Sequence, residues 1–169
     1  IKESLYNLFR YHKTQEHKIW HIHGSQTYPQ TITLGYEHYG GYLQKMRNYV
    51  ASGSRGDYKT KEFSSVKNRI KNEMLNHDSW VDSFFIDDVY ILGLNFDFVE
   101  IHLWWLLTYR SRAKAEEHFP VNNNIVYFYP EKLQKISQHK LQMFKANGID
   151  TIPVTIYGDK KTKYYVINA

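Results

Sequence analysis

The sequence predicts an α/β fold with a mainly parallel sheet and flanking helices. Segments with the apolar spacing of helices alternate with short apolar strands through most of the chain, which is the order that crossover units produce. Residues 89–93 form a nearly continuous apolar run, typical of a parallel strand that is buried on both faces. The length of 169 residues suits one domain. We therefore expect a single α/β domain over residues 1–169.

The first 50 residues predict a helix, a strand and a second helix. Apolar residues repeat at helical spacing in the first dozen positions, so a short helix is expected there. Residues 18–24 alternate in polarity and predict a strand that ends at Gly24. A loop follows, and the spacing of apolar residues predicts a helix over 38–50.

The middle of the chain predicts a loop, a helix and a strand region. Residues 51–65 are small, polar and charged, so we expect a mobile loop within the domain. Apolar residues spaced four apart predict a helix over 66–77. Residues 84–86 and 89–93 are the most apolar part of this region and predict strand.

The remaining elements follow from capping and turn signals. Asp97 is a good N-cap and Glu100 follows three residues later, so a helix over 98–118 with a capping box is expected. Its apolar residues lie nearly all round, which predicts burial of its first half. After it we expect a strand over 125–129, a helix from Pro130 to the C-cap signal Asn147–Gly148, and strands over 152–157 and 164–167.

Composition excludes several classes of protein. The chain has no cysteine, which rules out disulfide scaffolds, thiolate zinc sites and cysteine nucleophiles. The longest apolar run is far shorter than the ~18 to 20 residues of a membrane span. We therefore expect a cytoplasmic protein without a membrane partner, and the sequence leaves a homo-oligomer open.

Basic residues outnumber acidic ones by 22 to 17, which gives a formal net charge of +5. Several gather between residues 55 and 71, where Tyr58 and Phe63 lie among them. Such a strip is typical of proteins that bind single-stranded nucleic acid. A solvated face and a mobile loop are the favoured explanation, so a nucleic-acid partner remains open but is not favoured.

Two polar turns are the candidate functional sites, because ligands bind outside the carboxyl ends of parallel strands. The first turn is His21-Ile-His-Gly-Ser25 and the second is Gly93-Leu-Asn-Phe-Asp97. If both preceding strands belong to one parallel sheet, both turns open at the same edge.

In the first turn, His23 is the candidate for acid–base chemistry, since imidazole titrates near neutral pH. Gly24 permits close approach of a ligand or of backbone, and Ser25 can bond a hydroxyl or a phosphate. A structural role remains the alternative for His23. His21, on the same strand face, is expected to be a core histidine.

The pair His21 and His23 also suggests a metal site, in which Glu100 and His102 would be the further ligands. Those two residues are two apart on a helix and do not face the same way, so we expect no metal.

In the second turn, Gly93 suits close approach by a nucleotide and Asn95 can bond a ribose or a base edge. Asp97 disfavours a phosphate at the helix start and is more compatible with a sugar hydroxyl. The alternative is that Asp97 and Glu100 only cap the helix.

A resemblance to known families rests on these same segments. Trp20-His-Ile-His-Gly-Ser25, followed by Ile32-Thr-Leu-Gly-Tyr36, resembles the His-Gly segment of bacterial sirtuin-like proteins. Val89-Tyr-Ile-Leu-Gly-Leu-Asn-Phe-Asp97 is similar to their later strand–turn–helix, and AbiH-like abortive-infection proteins share a related pair. The matches span about residues 18–107.

The resemblance implies a sirtuin-type, Rossmann-like fold that binds NAD. It assigns His23 as the base at the nicotinamide ribose, and places Gly24, Ser25, Gly93, Asn95 and Asp97 along the nucleotide. It also implies hydrolysis of the nicotinamide–ribose bond in bacterial anti-phage defence. The alternative is a non-catalytic module of a defence complex that senses a nucleotide or binds a protein.

Departures from the family pattern sharpen this expectation. Asn95 stands where the family usually has serine, and no cysteine zinc module is present, which argues against a deacylase. No Gly-x-Gly-x-x-Gly turn occurs. The sequence therefore resembles the C-terminal half of such a domain, incomplete at its N-terminus.

Overall fold

The computed structural model describes residues 5–53, 64–116, 120–157 and 164–166. The chain divides into two compact units, Ile1–Ile86 with Asp97–Asn122 and Asp87–Phe96 with Asn123–Ala169. Most of the loop predicted at 51–65 lies outside the described residues, at positions 54–63.

The first unit is mostly helical. It contains two short antiparallel strands, β1 (His12–Lys13) and β2 (Lys18–Ile19). Its helices are α1 (Gly35–Arg47), α2 (Val66–Lys71), α3 (Trp80–Ile86) and α4 (Ile101–Ala115). A 3₁₀ turn at Pro29–Thr31 precedes α1, and a π-helical turn at Asn48–Ser52 follows it.

Packing of α1 against α4 forms much of the core of this unit. From α1, Tyr42 and Met46 are almost completely buried, and from α4 so are His102, Leu106 and Leu107. The predicted burial of the first half of α4 is thus confirmed. Burying side chains of this size is the main stabilising contribution to such a helix pair.

A buried ion pair lies elsewhere in the first unit. The carboxylate of Asp82 is fully buried, accepts a hydrogen bond from the hydroxyl of Tyr49 at 2.8 Å, and lies 3.4 Å from the guanidinium of Arg69. The backbone N–H of Ser79 also donates to it, at 3.1 Å. Such a carboxylate is tolerated because its oxygens are bonded.

Several sequence expectations for the first unit are wrong. Residues 5–12 form no helix, since the side chain of Asn7 accepts a hydrogen bond from the N–H of Phe9 and competes with helical bonding. The strand predicted at 18–24 shrinks to β2, because the chain turns where Gly24 donates to the carbonyl of His21. Residues 84–86 lie in α3.

The start of α4 also differs from the predicted capping box. Glu100, rather than Asp97, is the N-cap residue, and its side chain makes no capping hydrogen bond. The N–H of Glu100 donates to the carbonyl of Asp97 at 3.0 Å, and the indole of Trp104 donates to the same carbonyl at 3.2 Å. The carbonyl of Asp97 therefore joins the turn before the helix to the first turn of α4.

The second unit contains a four-stranded sheet and one α-helix in its described residues. The strands are β3 (Val89–Ile91), β4 (Ile125–Pro130), β5 (Asp150–Tyr157) and β6 (Tyr164–Val166), in that order across the sheet. The first three are parallel, and β6 is antiparallel to β5. This confirms the parallel sheet and the pairing of the last two strands, whose turn lies outside the described residues.

One helix, α5 (Gln138–Ala146), packs on this sheet. Phe144 of α5 is fully buried, with its ring 4.4 Å from that of Tyr127. The predicted C-cap is confirmed: Gly148 has φ +66°, and the N–H of Ile149 donates to the carbonyl of Phe144. The second unit is an α/β arrangement compatible with a Rossmann-like fold.

Among the described helices, none is long and apolar enough to cross a membrane.

Candidate functional site

A cavity of about 340 Å³ lies in the second unit, where strands β3 and β4 end. Leu92, Gly93, Leu94 and Asn95 follow β3, and Pro130 ends β4. The two strands are parallel, so these are their carboxyl ends. The cavity therefore occupies the position where open α/β sheets bind ligands.

Aromatic and aliphatic side chains form most of the lining. Tyr127, Phe128 and Tyr129 come from β4, while Leu133 and Val154 complete the apolar part. The rings of Tyr127 and Tyr129 lie 11° from parallel, with centroids 6.4 Å apart. Planar apolar groups pack well against such rings.

The turn after β3 is held by bonds from two other elements. The hydroxyl of Tyr127 donates to the carbonyl of Leu94 at 3.1 Å. The ammonium of Lys140 donates to the carbonyl of Asn95 and to its Oδ1, the latter at 3.1 Å. Phe96, at φ +57°, packs its buried ring against Phe144 at 5.2 Å. The turn is therefore positioned before any ligand binds.

Gly93 has φ +71°, and a Cβ built there would meet nothing within 4 Å. The backbone conformation therefore favours glycine, but crowding does not require it. Asn95 and Ser137 are the polar side chains of the lining outside the aromatic residues. Small-molecule sites are usually lined mostly by apolar groups, with a few polar ones.

The first unit holds the other candidate residue, His23. It is half-buried, and its Nε2 lies 3.4 Å from the Nε2 of His102, which is fully buried on α4. The ring of Tyr39 packs on both, at 5.5 Å from His23 and 4.8 Å from His102. Sequence reasoning considered His102 only as a metal ligand and missed this pairing.

Both histidines are uncharged at neutral pH. Burial lowers the pKa of His23 below its usual value of 6.5. Burial, with a smaller contribution from His23, lowers the pKa of His102 to about 3. The protonated forms are disfavoured because the surroundings cannot solvate a charge.

The environment of His102 indicates which nitrogen carries its proton. Its Nδ1 is buried and has no hydrogen-bond partner among the described residues. An unbonded N–H costs more there than a lone pair, so Nδ1 is the unprotonated nitrogen and Nε2–H donates to Nε2 of His23. His23 therefore carries its own proton on Nδ1.

The turn at Gly24 is a packing feature of the first unit. With φ +96°, Gly24 brings its backbone so close to the next segment that a Cβ would lie 2.4 Å from the carbonyl oxygen of Thr31. The N–H of Ser25 donates to Oγ1 of Thr31, and the N–H of Thr33 donates to the carbonyl of His23. Residues 23–25 are thus fixed by their own neighbours.

The predicted site residues separate into two groups. Gly93 and Asn95 line the cavity of the second unit, whereas His23, Gly24, Ser25 and Asp97 belong to the first. The expectation that both turns end strands of one parallel sheet is wrong, because residues 21–24 are a turn after the antiparallel β2. His21 is exposed and stacks edge-on against His12, so the expected core position is also wrong.

The residues that sequence reasoning missed are the other walls of the cavity. Tyr127 comes from β4, and Leu133 and Ser137 come from the segment between β4 and α5. Lys140 of α5 does not line the cavity but bonds Asn95, which does. A signal was available, since the end of the strand predicted at 125–129 lies at the same sheet edge as Gly93. The aromatic residues there were explained by packing alone.

The basic strip at 55–71 is only partly described. Arg69 is buried in its ion pair with Asp82, and Lys67 bonds Glu116 at 3.0 Å. These two side chains already have acidic partners, which weakens the nucleic-acid interpretation of the described part. Arg55, Lys59 and Lys61 lie outside the described residues.

A scan against protein-family models, a search of curated proteins and a search of solved structures found no match to this chain. The sirtuin-like resemblance therefore stays a prediction.

Proposed function

We propose that this chain binds an adenine nucleotide, with NAD as the ligand, through the cavity at the carboxyl ends of β3 and β4. The observation that carries the proposal is this position: an aromatic-lined cavity outside two parallel strands. Its volume of about 340 Å³ is within the range of small-molecule sites, roughly 300 to 1,000 Å³.

The lining suits the adenosine part of NAD. A purine ring is planar and apolar on its faces, so it packs against Tyr127, Phe128 or Tyr129. Asn95 and Ser137 supply polar atoms for a base edge or a ribose hydroxyl. The turn at Leu94 and Asn95 is held in place, which lowers the entropic cost of binding.

The test fills the cavity with a larger side chain. Leu133 is half-buried in the lining, whereas Ile136, three residues later, is 83% exposed and outside it. Titration calorimetry with NAD is expected to show at least about tenfold weaker binding for Leu133→Trp and no change for Ile136→Trp. Equal affinities in both variants, or no NAD binding by the unmodified chain, refutes the proposal.

A second candidate is cleavage of NAD to nicotinamide and ADP-ribose with His23 as base, in the defence role that the resemblance implies. The observation that favours it is the lowered pKa of His23, which keeps the imidazole unprotonated at neutral pH. Its Nε2 is hydrogen-bonded to Nε2 of His102 in the resting arrangement. A catalytic His23 must therefore exchange this bond for one to the substrate.

Product analysis separates the two candidates. If His23 is the base, His23→Ala abolishes release of nicotinamide while NAD binding in calorimetry is unchanged. Binding without release by the unmodified chain supports a nucleotide sensor instead. His21→Ala is the matched control, because His21 is an exposed histidine of the same turn.

A further inference from the structure

A second cavity of about 490 Å³ lies in the same unit, and Tyr129 lines both cavities. Residues of α5 and of the segment before it form most of its wall. The two cavities thus adjoin at one aromatic side chain.

The second cavity has a different chemistry from the first. Lys135 and Lys145 contribute ammonium groups, and Gln134, Gln138 and Gln142 contribute amides. Among the described residues that line it, there is no aspartate or glutamate. Ammonium and amide N–H groups together are suited to oxygen atoms that carry negative charge.

The sequence around this cavity is also one-sided in charge. Residues 132–149 contain Lys132, Lys135, Lys140 and Lys145 and no acidic residue. Glu131 and Asp150 lie at the two ends of this segment, and within it no acidic side chain competes with a bound anion for the lysines. Lys140 adds a positive charge beside the first cavity, where it bonds Asn95.

We propose that the second cavity binds the phosphate groups of the nucleotide whose base occupies the first. This inference rests on the proposed function. Tyr129 would lie where the base-bearing part of the ligand passes to its phosphates. Lys135 and Lys145 would neutralise the phosphate charge, and the glutamines would bond its oxygens.

A nucleic acid could use the same lysines, but the observations favour a small ligand. Lys135 and Lys145 are exposed, but they border a cavity that shares Tyr129 with an aromatic one of nucleoside size. A polymer bound only through its phosphates needs no such aromatic cavity.

The experiment compares ligands that differ only in phosphate. Calorimetric titrations with adenosine, AMP and ADP are expected to give rising affinity in that order. Lys135→Gln and Lys145→Gln are each expected to weaken ADP binding about fivefold, as for a partly exposed ion pair, and to leave adenosine unchanged. Lys132→Gln is the control, since Lys132 is exposed and does not line the cavity.

The outcomes separate this inference from the proposed function. Equal affinity for adenosine and ADP overturns the inference and leaves a nucleoside site. Failure of all three ligands to bind overturns both. Binding of a short oligonucleotide through Lys135 and Lys145, without binding of ADP, overturns both in favour of a nucleic-acid partner.

Discussion

The turns at Gly24 and Gly93 look alike in the sequence and differ in what requires the glycine. Both end a stretch that the sequence predicts as a strand, and both have positive φ, +96° and +71°. A Cβ at Gly24 would collide with the backbone of Thr31 and Ile32, whereas one at Gly93 would meet open space. A glycine-containing turn can therefore mark close chain packing or a ligand cavity, and only the surroundings distinguish the two.

The largest expected effect tests this difference directly. Gly24→Ala is expected to lower the free energy of unfolding by about 4 kcal/mol, since strain at positive φ adds to overpacking. Gly93→Ala is expected to cost only about 1 to 2 kcal/mol, the left-handed penalty alone.

The measurement is urea unfolding of each variant. All four tryptophans lie in the first unit, so their fluorescence reports the unfolding of that unit in Gly24→Ala. Far-UV circular dichroism reports the unfolding of Gly93→Ala. Gly40→Ala is the control, because Gly40 is inside α1 with open space at its Cβ, and alanine there is expected to stabilise. Equal losses for Gly24→Ala and Gly93→Ala would break the comparison.

The same contrast explains how much of the molecule the sequence could predict. The parallel strands β3 to β5 and the C-cap of α5 depend on local signals: apolar runs and an Asn-Gly pair. The prediction of a strand over 18–24 is wrong because it used only the local alternation of polarity. The turn at Gly24 is stabilised by contacts with residues 31–33.

The candidate site was predictable only where it follows a strand directly. Gly93 and Asn95 were found because they end β3. Leu133 and Ser137 line the same cavity from beyond the strand predicted at 125–129, and no spacing rule connects them to Gly93. The contact between His23 and His102, 79 residues apart, is likewise a product of tertiary packing.

A smaller effect is the loss of stability at low pH that His102, beside the turn at His23, is expected to cause. His102 binds a proton near pH 6.5 when unfolded and at about 3 when folded. Between these values the unfolded state binds more protons, so the free energy of unfolding decreases as the pH falls below about 6.5. One such histidine lowers stability by about 1.4 kcal/mol at pH 5.5 relative to pH 8.

The His102→Phe variant tests this, because phenylalanine keeps an aromatic ring beside Tyr39 and Tyr42 but does not titrate. The free energy of unfolding of this variant, followed by tryptophan fluorescence, is expected to vary less with pH than that of the unmodified chain. The lowered pKa of His23 also makes the folded state less stable in acid, so a smaller pH dependence of the free energy of unfolding remains in this variant. Parallel pH profiles for the two proteins would show that His102 is not buried as described.

The smallest expected effect sharpens the other side of the comparison. At Gly93 the turn depends on bonds from distant side chains rather than on close backbone packing, and the hydroxyl of Tyr127 supplies one of them. Tyr127→Phe removes that donor and leaves the ring against Phe144, so stability is expected to fall by only about 1 kcal/mol. Hydrogen exchange of the amides at 92–96 is expected to become faster, while exchange at residues 23–33 stays unchanged.

In Tyr129→Phe, the matched control, exchange in this turn stays as in the unmodified chain, because no bond from the Tyr129 hydroxyl holds it. If Tyr127→Phe leaves exchange at 92–96 unaltered, the Tyr127 hydroxyl does not hold the turn, and this difference between the two glycine turns is refuted.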